Sequence, residues 1–154
     1  MKTKIILSLL GLLFISGAFT EGCDEEKPKP DYITVNVIAE GNILLKDNTT
    51  DSLSCDNRIT NITVRVDVIK AGGEQVNFFV ILGQGSCYFK TGTATFKLYR
   101  EQPIEVIAYT EAVLPGFTQI KAVAYLSWDD VYPGKDFGST YTWEPFMRGY
   151  WLYN

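Results

Sequence analysis

The sequence has no histidine and only three cysteines among its 154 residues. Without imidazole there is no Ser-His-Asp or Cys-His nucleophile pair and no histidine-ligated zinc, and no side chain has an ordinary pKa near neutrality. Basic residues are the minority: 14 Lys and Arg stand against 18 Asp and Glu, a formal charge of -4, and the basic positions are scattered along the chain. Nucleic-acid interfaces need a net basic surface, so that class of partner is excluded. The chain lacks internal repeats and low-complexity segments, and nothing in its composition calls for a cofactor. The expectation is a protein that binds, not an enzyme.

What is present begins with an export signal. Lys2 and Lys4 precede the uncharged run from Ile5 to Thr20, whose apolar part ends at Ile15 before the small residues Ser16, Gly17 and Ala18. That order is a basic n-region, an apolar h-region and a cleavage zone. A permanent membrane span needs roughly 18 or more apolar residues, and this run is shorter. Two processing routes compete: cleavage after Ala18, where Ser16 and Ala18 meet the small-x-small rule, or cleavage before Cys23, where Gly22 precedes the cysteine.

Gly22-Cys23 followed by Asp24, Glu25, Glu26 and Lys27 resembles the lipobox and acidic export tag of Bacteroidetes lipoproteins, which are often carried to the outer face of the outer membrane. Thr20 and Glu21 depart from the usual form and keep the Ala18 route open. The resemblance implies a signal over residues 1–22, acylation of Cys23, a membrane attachment through that lipid, and an outer-membrane location facing the exterior. Residues 23–30, with Lys27-Pro28-Lys29-Pro30, then form a short polyproline-like tether, and residues 31–154 fold as one domain. Lipidating Cys23 leaves an even pair. Cys55 and Cys87 are therefore expected to form a disulfide in an oxidising compartment, the alternative being two buried thiols.

From Asp31 onward the hydrophobic pattern has period two, and no window sustains helical spacing. Ile62, Val64, Val66 and Val68 alternate with polar residues, as do Ile33, Val35 and Val37, and Phe96 and Leu98, while Ile104, Val106 and Ala108 alternate with Glu105; each reads as a strand with one buried face. Val76–Leu82 is apolar on both faces and is expected to be central. Ala71-Gly72-Gly73, Gly83-Gln84-Gly85, Thr91-Gly92-Thr93, Pro115-Gly116 and Pro133-Gly134 punctuate the strands. Seven to nine short strands at this spacing predict an all-β fold: a single antiparallel, immunoglobulin-like β-sandwich or a small barrel.

All three tryptophans, Trp128, Trp143 and Trp151, fall late in the chain with many of the tyrosines. One reading is a final hairpin, Ser139–Trp143 with Gly149–Tyr153, closing the core. The other is an exposed platform in which Trp143 and Trp151 stack on a sugar or anchor a protein. Asp129, Asp130 and Asp136 are the only acidic aromatic cluster; their spacing departs from a calcium loop, so a solvated turn is expected there and no metal site. Adjacent Asp129 and Asp130 in a strand would point to opposite faces and make no acid-base pair. Gly83-Gln84-Gly85-Ser86-Cys87 is not a nucleophile elbow, since Cys87 replaces the second flanking glycine and no base follows. Asp51-Ser52-Leu53 resembles the short motif on which Bacteroidetes attach O-glycans, which would modify Ser52; the plain alternative is a polar loop.

A convex loop held rigid by strands loses little entropy on entering a substrate cleft, and two loops qualify. One is Gln84–Ser86, braced by Cys87. The other is Val113-Leu114-Pro115-Gly116-Phe117, with Leu114 and Phe117 either exposed at a stiff tip or folded back onto the core. In size, anchor and expected β-rich domain the chain is similar to the potempins, small lipoprotein inhibitors with which some Bacteroidetes restrain their own secreted peptidases. That resemblance implies a secreted metallo- or serine peptidase as the protein partner. A glycan-binding or structural surface protein is the alternative.

Overall fold

The computed structural model describes residues 32–59, 61–132 and 140–154. The signal, Cys23, the tether, Pro133-Gly134, Asp136 and Phe137 lie outside these. The described chain is almost entirely extended: β1 (Ile33–Val37), β2 (Glu40–Lys46), β3 (Leu53–Ser54), β4 (Thr63–Lys70), β5 (Gln75–Ile81), β6 (Tyr88–Lys90), β7 (Ala94–Leu98), β8 (Ile104–Thr110), β9 (Phe117–Ile120), β10 (Ala122–Leu126), β11 (Tyr141–Trp143) and β12 (Phe146–Tyr153). A 3₁₀ turn at Asn57–Ile59 and one helical turn, α1 (Trp128–Val131), are the exceptions. The segments outnumber the expected strands because several are halves of longer runs.

The clearest case is β1 with β2. Ile33, Val35, Val37, Ala39 and Ile43 are all buried, so the alternation runs unbroken through the junction. Both halves pair in parallel with the C-terminal segment: Val35 faces Tyr141 and Glu40 faces Phe146, with no slip of register between them. Gly41 faces Met147 in that ladder, and a Cβ on Gly41 would fall 1.8 Å from the Met147 carbonyl oxygen, so only glycine admits this approach. On the other flank β7 pairs with β1 and β6 with β2, both antiparallel. Between them Thr91-Gly92-Thr93 is a bulge, not the turn its composition suggests. The buried phase moves from Phe89 to Ala94, Phe96 and Leu98 across it. Thr91 stitches the bulge: its N–H donates to Ala39 O at 2.9 Å, and its hydroxyl oxygen accepts the Ala39 N–H at 3.0 Å.

The second sheet has the order β10-β8-β4-β5, antiparallel throughout. Its inner face contributes Val64, Val66, Val68, Ile104, Val106 and Ala108 to a single core shared with the first sheet. One run of chain belongs to both sheets. β9 pairs with β12 and, one residue later, β10 pairs with β8, so the strand crosses between layers at Lys121. The result is an all-β sandwich joined at that corner, with no closed barrel among the described residues.

Three expectations are corrected. The C-terminal segments do not form a hairpin with each other: Glu144 and Pro145 carry the chain onward without reversal, and each segment pairs in parallel with its N-terminal partner. β5 is not central but an edge. Its even-numbered side chains face inward and are half-buried, while Phe79 and Ile81 are 57% and 71% exposed. Asp129 and Asp130 lie in α1, where the Asp130 carboxylate accepts hydrogen bonds from the Ser127 N–H and hydroxyl, both at 2.7 Å. Those bonds hold the Asp130 carboxyl below its ordinary range.

Candidate partner-binding site

The two candidate loops emerge at the same end of the sandwich. β4 starts where β5 and β8 finish, since Thr63 faces Ile81 and Val64 faces Thr110. The loop after β5 holds Gln84 and Ser86; the loop after β8 holds Leu114, Pro115 and Gly116. β4 lies between their stems, which sets them about 10 Å apart at two strand spacings. The opposite end holds Tyr32, whose ring contacts Tyr99 at 5.9 Å, and the Lys70 ammonium from the far end of β4 lies 5.2 Å from the same Tyr99 ring. The described chain therefore begins at the pole away from the loops.

Leu114-Pro115-Gly116-Phe117 is a type II turn: the Phe117 N–H donates to Leu114 O at 3.2 Å, proline stands second, and Gly116 in third place has φ +87°. The chain end fastens it, because the Asn154 N–H donates to Gly116 O at 2.9 Å. Phe117 folds back. Its ring lies 5.8 Å from Trp151 and 5.3 Å from Tyr153, with the Arg58 guanidinium 5.5 Å from its centre. Leu114 is 37% exposed and Pro115 and Gly116 are exposed, so the tip is Leu114-Pro115 and Phe117 is its support.

Gln84 and Ser86 sit in a second tight turn, with the Ser86 N–H donating to Gly83 O at 3.1 Å and Gly85 at φ +73°. The expected bridge is present next to it. Cys55 and Cys87 are bonded, their Cα atoms 5.6 Å apart. β3 and β6 lie along the same side of β2, Ser54 facing Leu45 and Tyr88 facing Asn42. The disulfide fills the gap between them, joining two short segments into one composite edge strand, and Cys87 O accepts the Ile43 N–H at 3.0 Å.

Beside the Pro115 turn lies a groove of about 400 Å³ lined by Lys46, Ser52, Asp56, Arg58, Phe117 and Tyr153 among others. Two ion pairs and one hydrogen-bonded carboxylate account for its charges: Asp47 accepts from the Thr49 N–H and hydroxyl and from the Thr50 N–H. Asp56 binds Arg58 through both carboxylate oxygens, at 2.8 and 2.9 Å, and accepts the Arg58 N–H at 2.8 Å. These bonds bring the Asp56 carboxyl down to about 2. Lys46 meets Asp51 at 2.6 Å. Ser52 is exposed on the groove wall, its hydroxyl 2.8 Å from that of Thr50.

The tryptophans divide differently from the platform expectation. Trp151 is fully buried and its Nε1–H donates to Thr110 Oγ1 at 3.2 Å, so it cannot stack on a sugar. Trp128 is also buried, stacked on Tyr132 at 5.6 Å with the Arg100 guanidinium 5.6 Å away. Trp143 is half-buried. Exposed aromatics are spread over both sheets, with Tyr88, Phe146 and Tyr153 on the first and Phe79 and Tyr125 on the outer face of the second, a cluster the sequence expectations did not include. There Arg65 spans the rings of Phe79 and Tyr109, at 5.7 and 5.9 Å, and pairs with Asp67 at 2.7 Å. Tyr109 donates to Asp67 at 3.0 Å, and burial, then that bond, raises its phenol pKa. The Lys121 ammonium lies 4.1 Å from the centre of the Tyr109 ring. The phase of alternation in β4 and β8 signals this face, but the apolar composition of β5 masks it.

Among the described residues no three Cys, Asp or Glu side chains converge as a metal site. The chain matches no protein-family model, no curated protein and no solved structure.

Proposed function

We propose that this protein is an exported binding protein, acylated at Cys23 on the outer face of the outer membrane, that restrains a secreted metallo- or serine peptidase by inserting the Leu114-Pro115 turn into its substrate cleft. The observation that carries the reading is the bracing of that turn. Proline presets one backbone angle, Asn154 ties Gly116, and Phe117 is clamped between Trp151, Tyr153 and Arg58, so the exposed tip has little freedom left to lose on binding. The position of Tyr32 at the other pole agrees with this use, since a tether acting there leaves the turn facing away from a membrane.

The test is titration of the purified protein against the secreted peptidases of its producing cell. One of them is expected to be inhibited one-to-one, and Leu114→Asp to weaken that inhibition by about thirtyfold or more, the loss of a single interface hot spot. Phe117→Asp is a poorer probe, because it removes the support of the turn along with any contact. Unchanged inhibition by Leu114→Asp would place the contact elsewhere; no inhibition of any secreted peptidase would sink the reading.

A further inference from the structure

Each residue of an antiparallel strand points its N–H and C=O to one side, and consecutive residues alternate. The Leu82 N–H donates to Ile62 O at 3.0 Å and Glu74 O accepts the Lys70 N–H at 2.8 Å, so the even-numbered residues of β5 face β4. The backbone groups of Gln75, Asn77, Phe79 and Ile81 point the other way, where no strand follows among the described residues. Such a row is a template for another strand, and sheet edges are ordinarily guarded by lysine, proline, bulges or brevity. The other edges here are guarded or shorter: β6 and β7 carry Lys90, Lys97 and the Thr91–Thr93 bulge, β3 and β11 have two and three residues, and the uncharged β9 and β10 have four and five. β5, with the sequence QVNFFVI, has seven residues, no charge and no proline, and leaves Phe79 and Ile81 in solvent. The flanking Glu74 is neutralised by Lys70 at 2.6 Å.

We propose that β5 pairs with β5 of a second copy of this chain, antiparallel about a two-fold axis at Phe78. In that register Asn77 faces Phe79 of the second copy and Gln75 faces its Ile81, so every outward backbone group meets another outward group. A slip of one residue would set outward groups against inward ones. On the inner face Val76 meets Val80 and Phe78 meets itself, an apolar series that reads the same from either copy. Nowhere does a charge oppose its like, which would be destabilising. On the outer face the two Phe79 side chains are diagonal neighbours about 7–8 Å apart, within reach of aromatic rings. The contact is isologous and closes at two copies. The two-fold reverses one copy against the other and sets each Gln84–Ser86 loop beside the β4–β5 turn of the second copy, but the Leu114-Pro115 turn lies beyond β4 from this edge and stays uncovered, so the pairing is tested separately from peptidase inhibition.

Sedimentation equilibrium and residue-resolved hydrogen exchange on the purified protein, over a range of concentrations, test this. The amides of Gln75, Asn77, Phe79 and Ile81 are expected to gain protection together as dimer forms. Phe79→Glu, which faces Arg65 within the fold but sets two like charges at diagonal positions across the axis, should raise the dimer dissociation constant about tenfold or more. Asn77→Pro removes an outward donor without touching the β4 ladder and should abolish association. Tyr125→Lys, on the same face but on β10, should change nothing. A monomer up to millimolar concentration with those amides exchanging freely overturns the proposal. So does protection gained only on adding an extended peptide, with no self-association.

Discussion

Thr110 ties three strands together. Its hydroxyl accepts the Trp151 Nε1–H and lies 2.9 Å from Gln119 Oε1, to which it donates; that same oxygen accepts the Thr110 N–H, and Gln119 Nε2 returns a bond to Thr110 O at 3.1 Å. β8, β9 and β12 meet in this cluster, and Thr110 is 1% exposed. Thr110→Val keeps the shape but leaves the indole N–H buried without an acceptor, so stability in urea should fall by about 1–3 kcal/mol. At Asp56 the effect depends on pH. The folded carboxyl lies at about 2 against an ordinary 3.8, so the unfolded chain takes up the proton first. The stabilisation is therefore complete above the unfolded value and disappears as the pH falls from about 4 to about 2. Asp56→Asn should be less stable than the native protein at neutral pH, and the two melting temperatures should converge near pH 2.

Among elements, the disulfide works on the strand more than on the loop beside it. β3 and β6 are each too short to hold an edge alone, and the bridge makes them one partner for β2. Replacing both cysteines by serine is expected to cost roughly 3–4 kcal/mol on chain-entropy grounds, read as a lowered urea midpoint, with the β3 amides losing hydrogen-exchange protection first. The alternation of Val64, Val66 and Val68 announced β4 because a half-buried strand writes its burial into its own residues. The partnership of β2 with β12 left no such mark. Parallel ladders across most of the chain carry no local turn signal, which is why the aromatic C-terminal segments read as a hairpin. β5 misled for a related reason: an apolar strand looks the same whether a second neighbour or solvent lies beside it.

At the scale of the molecule, topology decides what faces a partner. The ends of β5 and β8 flank the start of β4, and this alone brings Gln84, Ser86, Leu114 and Pro115 to one pole, with Tyr32 at the other. Pro115-Gly116 was legible as a turn from two residues, and Cys55 with Cys87 from cysteine arithmetic, because both depend on chemistry that is local or countable. Which residue of the loop points outward was not. Phe117 is drawn in by Trp151, Tyr153 and Arg58, which come from distant parts of the chain, and Leu114 remains outside as a consequence.

The sequence by itself determined an all-β domain, one disulfide and the tight turns at Gly72-Gly73, Gly83-Gln84-Gly85 and Pro115-Gly116, since period-two burial, a paired thiol and the backbone demands of glycine and proline each act over a few residues. Only the tertiary structure decided that Trp151 is core and not platform, that β5 is an edge, and that the two termini run side by side. Those outcomes depend on which strands become neighbours, and an alternating strand satisfies its own pattern against any apolar face of the right size.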